Sequence, residues 1–324
     1  QLDSFRKKAA GMTIFLLPKR PSRDKLAAME PSATRPLLGR RIALELRPAR
    51  PLTWIGPSWA AICGALASGG LALSGETFLR IAIAIILADP ILGAWRSAWV
   101  NTDWRAPLRV WRPTPTRSWT LVPYARLDSP AARLSQWISS RGKFWNGAVW
   151  PEVGQAISSL VISGAVALTM ALVLGTPAFL ITSLALLLAP FETELGKHEA
   201  GSWARALAEI SIAWLIGNAA FSLPGLESIL LALFFAGAYR GLLATSNGRA
   251  VGFALANVFQ VLVAAALVAG GALLNAAFVA FAIIGEMLWQ AFARAQEADS
   301  GYLGRVQWFI LAAMLVAAVG VQHL

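Results

Sequence analysis

The chain has one cysteine, two histidines and three tyrosines in 324 residues, and its 17 acidic residues are outnumbered by 28 basic ones. A single cysteine, Cys63, excludes an intrachain disulfide and a thiolate metal cluster. Two histidines, His198 and His323, leave no material for a multi-histidine metal centre. No Ser–His–Asp set, phosphate-cradling glycine loop or haem-attachment pair is present. Charge is scarce too: 14% of the residues are charged, against about 25% in soluble domains. A nucleic-acid reading of the +11 net charge needs a basic face on a soluble fold, and nothing here provides one.

What the chain has is apolar length. Hydrophobic residues make up 57%, and the mean hydropathy is +0.59. Apolar runs close to the roughly 20 residues that cross a bilayer recur along it. They cover about 53–74, 78–99, 153–173, 177–191, 205–221, 226–243, 250–269, 272–293 and 303–322. The expectation is an all-α polytopic membrane protein with nine transmembrane helices.

The basic residues set the expected orientation. They crowd the arm 1–52, the loop 101–151 and the later even-numbered loops, as Lys197, Arg205, Arg240, Arg249, Arg294 and Arg305. Nine crossings with the N-terminus inside put all of these on the cytoplasmic side and leave only Arg80 outside. The C-terminus is then periplasmic. The net charge is thus mostly topology, with attraction to anionic lipid headgroups as a by-product.

Two aqueous segments stand out. Residues 1–52 form a basic, proline-punctuated arm, expected to be extended apart from a short helix near Asp24–Met29. The segment 101–151 is read as a long cytoplasmic loop. It carries Trp104, Trp111, Trp119, Trp137 and Trp145 among prolines and arginines. Tryptophan at this density suits a headgroup interface or a contact surface for another membrane protein. Residues 53–324 make the transmembrane domain. Its glycines Gly64, Gly69, Gly70, Gly270 and Gly271 are expected to allow close helix packing.

The stretch from Arg47 to Asp103 carries a recognisable pattern. Pro51, Thr53, Trp54, Pro57, Trp59, Ala60, Cys63, Gly64, Ser68 and Gly69 fit a (K/R)P-x-TW-x-x-P-x-WA-x-x-CG-x-x-x-SG segment. This resembles the first membrane helix of the chlorophyll and bacteriochlorophyll synthase branch of the UbiA prenyltransferase superfamily. Looser resemblance extends over about residues 45–324 and implies a UbiA-like bundle, with helices 2 to 5 and 6 to 9 as two four-helix halves.

The resemblance also implies a site, and there the chain departs from the pattern. Prenyl transfer in that superfamily uses two acidic clusters that hold Mg²⁺ on a prenyl diphosphate. The first, N-D-x-x-D, falls on Asn101-Thr102-Asp103-Trp104-Arg105, and the R-P-x-P tail that follows falls on Arg112-Pro113-Thr114-Pro115. Asn101, Asp103 and Arg112 are the remnant. The second, N-D-F-x-x-x-x-x-D-R-x-x-G, falls on the stretch from Tyr239 to Arg249, which contains no Asp or Glu. No Mg²⁺–diphosphate site is expected.

Other ionisable residues are candidates for other work. Asp89 precedes Pro90 inside an apolar run, where an acid is costly and often functional; a helix-kink cap is the alternative. Glu192, Glu194 and Glu199 cluster with His198 in a loop, as a metal group or a solvated turn. His198 and His323 could ligate the Mg²⁺ of a pigment. Glu209 and Glu286 lie near helix ends, and Glu286 with Gln290 could line the interior.

Three function classes follow. The first is a non-catalytic, bacteriochlorophyll-synthase-like subunit or assembly factor of a photosynthetic reaction-centre or light-harvesting complex in the bacterial inner membrane. It would hold bacteriochlorophyll, carotenoid or quinone, with lipids and other integral membrane proteins as partners. The second is an active Mg²⁺-dependent prenyltransferase whose acids have moved, pairing Asp103 with Glu192, Glu194 or Glu199. The third is a transporter or assembly factor unrelated to pigment, whose mark would be discontinuous helices at mid-membrane. The sequence shows no convincing pair.

Overall fold

The computed structural model describes residues 55–69, 74–111, 129–195, 199–246, 249, 251–295 and 301–322. The arm 1–52, Arg112, Trp119, His198 and His323 lie outside them, as do the side chains of Glu194 and Glu199. Ten helical runs are present among the described residues: α1 Pro57–Ala67, α2 Gly75–Val100, α3 Ala106–Val110, α4 Pro130–Leu174, α5 Thr176–Leu195, α6 199–219, α7 Leu226–Ser246, α8 Val251–Ala269, α9 Leu273–Ala295 and α10 Gly301–Val321. No strand occurs among them. The chain is an all-α polytopic membrane protein.

Each apolar run read from the sequence contains a helix among the described residues. Five helices, α2, α4, α7, α8 and α9, are long and apolar enough to cross a bilayer unaided. Shorter apolar stretches are α1, Thr176–Glu192 of α5 and Arg305–Val321 of α10. The 11 residues of α1 rise about 17 Å, roughly half a hydrocarbon core. The nine-crossing count therefore rests on the charge pattern.

Local chemistry explains the helix boundaries. Ser74 caps α2 by accepting from the Thr77 N–H at 3.2 Å, with Glu76 in the first turn and paired to Arg80 one turn on. Pro90 would break the backbone ladder of α2, and a wide π-turn over Leu87–Ile91 absorbs it. Gly175 ends α4 with φ 123°, and α5 begins at the next residue.

The segment 101–151 departs from the expectation of a continuous loop. It holds α3 and then the first 22 residues of α4, which starts at Pro130. The start signal is present in the sequence: Ser129 accepts from the Ala132 N–H at 3.2 Å, and Pro130 sits at the first helical position. Likewise Tyr239–Ser246, aligned with the family's second acidic loop, continues α7 as helix.

Two apolar cores are joined by α6. One gathers α2, α4 and α5 around Leu87, Leu92, Ala167, Ala171 and Ile216. The other gathers α1 and α7–α10 around Trp214, Phe235, Tyr239 and Ile310. The contacts that close them are backbone to backbone. A Cβ on Gly64 would lie 1.9 Å from the Trp214 carbonyl oxygen, and one on Gly217 2.0 Å from that of Ala61, so α1 and α6 touch through their glycines. Gly241 and Gly252 do the same for α7 and α8. Of the glycines expected to pack, Gly64 does. Gly69 and Gly271 instead turn the chain, at φ 69° and 84°, with open space around them. Large apolar side chains such as Phe281, Val173 and Leu187 face outward, as lipid-facing helices require.

Candidate functional site

The strongest concentration of buried charge lies where α2, α5, α6 and α7 meet. Arg96 projects from α2, and its guanidinium grips Glu192 of α5 with two hydrogen bonds, Nε at 2.9 Å and Nη2 at 2.8 Å. Its Nη1 reaches Glu209 of α6 at 3.2 Å. Arg205, one turn before Glu209, donates to the same oxygen at 3.2 Å. Tyr239 of α7 donates its hydroxyl to the other Glu209 oxygen at 2.5 Å. The side chain of Glu209 is 2% exposed, and those of Glu192 and Arg96 are 11% and 15% exposed. Two arginines thus neutralise two glutamates, and the bidentate grip on Glu192 is the strong form of that bond.

The local backbone helps to place these groups. Glu209 sits in a π-turn of α6 spanning Leu207–Ile212; such turns are frequent at functional sites. Against Arg96 lies a void of about 10 Å³ lined by Pro57, Ala88, Leu92, Trp95, Arg96 and Ala208, room for about one water. Trp95 braces the end of α2 by donating to the Leu186 carbonyl at 3.1 Å.

Mg²⁺ is implied by the resemblance to prenyltransferases, and these residues do not fit it. Mg²⁺ relies on free carboxylates and on phosphates, whereas Glu192 and Glu209 already face guanidinium groups. Among the described residues no three of His, Cys, Asp and Glu come together. Where the second acidic cluster would align, α7 carries Arg240, buried, with no hydrogen-bond partner for its Nε.

The sequence-predicted residues fall in separate places. Asp103 is exposed and accepts from the Arg105 N–H at 3.1 Å and from the Arg109 guanidinium. The Arg105 N–H above all, then Arg109, holds its carboxyl below the usual aspartate range. Asn101 ends α2 and donates to Ser97 Oγ at 2.8 Å. Asp89 accepts from Ser58 Oγ at the start of α1, so this carboxylate faces the positive end of a helix. Trp104 packs at a tilt against Trp99 with ring centroids 4.8 Å apart, and Trp111 meets Phe144 edge-on at 5.2 Å. Trp137 and Trp145 are exposed. Of the acids proposed as relocated ligands, Glu192 joins the buried cluster through Arg96, and Asp103 pairs with Arg109.

Sequence reasoning missed Arg96 and Tyr239 and gave Glu209 only a passing place. The usable signal was Arg96 itself. An arginine inside an apolar run demands a carboxylate on a neighbouring helix, and Glu192 and Glu209 were the acids within reach of that end.

A second buried polar cluster joins α8 and α9. Gln260 donates to Glu286 at 2.6 Å, and Gln290 to the other Glu286 oxygen at 3.2 Å. Gln290 and Asn257 exchange amide hydrogen bonds at 2.9 and 2.8 Å. Glu286 is fully buried, in line with the expectation that it lines the interior with Gln290. At the opposite end of the bundle from Arg96, a cavity of about 230 Å³ lies between α7, α8 and the end of α10, lined by Leu230, Leu231, Ala266, Leu267 and Val321 with Glu227 at its rim.

Comparison with known proteins gives one informative similarity. Over 205 residues, 62% of this chain, it is 28% identical to the bacteriochlorophyll synthase 34 kDa chain of Chloroflexus aurantiacus. The match spans 57% of that protein's length. No protein-family profile matches the chain, and no solved structure does. The similarity supports a relationship between this membrane protein and the bacteriochlorophyll synthases of the UbiA superfamily.

Proposed function

We propose that this protein is a non-catalytic relative of bacteriochlorophyll synthase, acting as a structural or pigment-handling subunit, or an assembly factor, of a photosynthetic complex in the bacterial inner membrane. The observation that carries the reading is the arginine clamp. Glu192 and Glu209, the buried acids at the end of the bundle where α2 stops, are held by Arg96 and Arg205, and Asp103 by Arg109. An acid committed to a guanidinium is a poor Mg²⁺ ligand, because the metal must displace a charge-assisted pair and still keep its octahedral geometry. The similarity to a bacteriochlorophyll synthase chain supports the pigment context. In this reading the N-terminus is cytoplasmic, the C-terminus periplasmic, and the bound molecule a bacteriochlorophyll, carotenoid or quinone.

The test is an assay of the purified full chain with bacteriochlorophyllide, a C20 prenyl diphosphate and Mg²⁺. The expected result is no Mg²⁺-dependent esterification above the protein-free control. Turnover abolished by EDTA would overturn the reading in favour of an active prenyltransferase. The absorption spectrum and size of the protein purified in mild detergent test the second half of the proposal: a large particle carrying pigment bands supports a subunit, and a small colourless one removes it.

A further inference from the structure

The helix α4 is far longer than a bilayer needs. Its 45 residues rise about 68 Å. The apolar run from Val153 to Leu174 alone covers the roughly 30 Å of hydrocarbon. The preceding part, Pro130–Phe144, joins it through a π-turn at Trp145–Val149, and the backbone stays right-handed helical on both sides: φ/ψ is −60°/−46° at Phe144 and −62°/−43° at Trp150. A π-turn kinks a helix; it does not fold it back along a membrane. Measured along the helix, Ile138 is about 23 Å from Val153, about three times the roughly 7 Å depth of a headgroup layer.

At that height α4 presents an apolar stripe. Leu134, Trp137 and Ile138, at helical spacings of three and four, are 58%, 57% and 45% exposed. Arg141 continues the stripe and lies over the Trp137 ring, 5.3 Å from its centroid. Arg133 flanks it and is exposed. The buried residues of this part, Ala132 and Ser135, lie on the other side of the helix, so the stripe faces away from the protein's own packing. The segment 101–151 as a whole has eight Arg and Lys against two Asp.

We infer that the Leu134–Trp137–Ile138 face of α4 is a docking surface for the membrane-extrinsic part of another integral membrane protein, one that offers an apolar groove rimmed by carboxylates. Height decides between protein and lipid. A stripe this far past the headgroups cannot insert among acyl chains, whereas an aromatic and two branched aliphatics ringed by arginine have the composition of a protein–protein anchor. The excess of cations selects an acidic partner. The inference does not rest on loss of catalysis, since an enzyme could carry the same helix.

The test uses a cysteine reporter, which the chain permits because Cys63 is buried. Ser140→Cys places a thiol beside the stripe and leaves the stripe intact. Its labelling by a membrane-impermeant maleimide is timed in opened native membranes and in vesicles of phosphatidylglycerol and phosphatidylcholine holding the purified protein. The expected result is fast labelling in the vesicles, at least tenfold slower labelling in native membranes, and recovery of the fast rate when Trp137→Ala and Arg141→Glu are added. Slow labelling in the vesicles as well would overturn the proposal and assign the stripe to anionic lipid. Fast labelling in native membranes would overturn it by leaving the surface uncovered, as would protection that survives both substitutions. The esterification assay reads none of these rates, so the two proposals stand or fall separately.

Discussion

Around Arg96 the buried acids are met by guanidinium groups; around Glu286, among the described residues, the buried acid is met by amides. The first cluster ties four helices together. The second ties α8 to α9. The difference shows two ways of keeping a carboxylate out of water. In the first cluster a full charge is held because an opposite charge lies within 3.2 Å. In the second, Glu286 keeps hydrogen-bond donors on both oxygens and, among the described residues, no cation, which is sufficient only if ionisation is not required of it. The first arrangement depends on each member of the pair; the second tolerates loss of charge.

Substitutions can break that comparison. Arg96→Met should have the largest effect, about 3–5 kcal/mol, because it strands Glu192 as a buried charge and leaves Glu209 to Arg205 and Tyr239. The check is the thermal unfolding midpoint in detergent, with Arg96→Lys recovering part of the loss, since an ammonium cannot make the bidentate grip. A Met variant as stable as the parent would mean the cluster is solvated and the clamp does not hold.

Tyr239→Phe removes one hydrogen bond to a charged oxygen and should cost about 1.5–3 kcal/mol, read in the same melt. Glu286→Gln should cost less, about 1 kcal/mol, because it exchanges one acceptor for a donor and leaves the Gln290–Asn257 pair in place. If Glu286→Gln proves as damaging as Arg96→Met, then Glu286 is ionised and the contrast fails.

Asp103→Asn should be the smallest. Its pair with Arg109 is exposed, and exposed ion pairs contribute little. The sign with pH is fixed by direction. The folded carboxyl titrates below the unfolded one, so its contribution is present above the ordinary aspartate pKa of about 4 and is lost as pH falls through the lower folded value. The variant should therefore match the parent in strong acid and differ, slightly, only at higher pH. A large loss at neutral pH would give Asp103 a role beyond its arginine.

Much of the fold was legible in the chain. The apolar runs mark the helices because a backbone in lipid must satisfy its own hydrogen bonds. The resemblance at Pro57, Trp59, Cys63 and Gly64 pointed to the family that the comparison with bacteriochlorophyll synthase supports. The candidate site was half legible. The absence of Asp and Glu from Tyr239 to Arg249 could be read directly, but the clamp could not, because Arg96 and Glu192 are 96 residues apart and Arg96 and Glu209 are 113 apart. The start of α4 at Pro130 was legible in the Ser129–Pro130 pair and was masked by the density of tryptophan and arginine around it.

By itself the sequence determined that this protein is helical and that it lives in a membrane. Those are properties of composition and short-range pattern, set by hydrophobic length and by which residue types are present at all. Only the tertiary structure decided what the remaining acids do. Whether a buried glutamate meets a guanidinium, as Glu209 does, or amides, as Glu286 does, depends on which helices lie side by side. Glycine contacts such as Gly64 against Trp214 and Gly217 against Ala61 hold α1 against α6, the helix that carries Glu209, and that pairing is a property of the packed bundle.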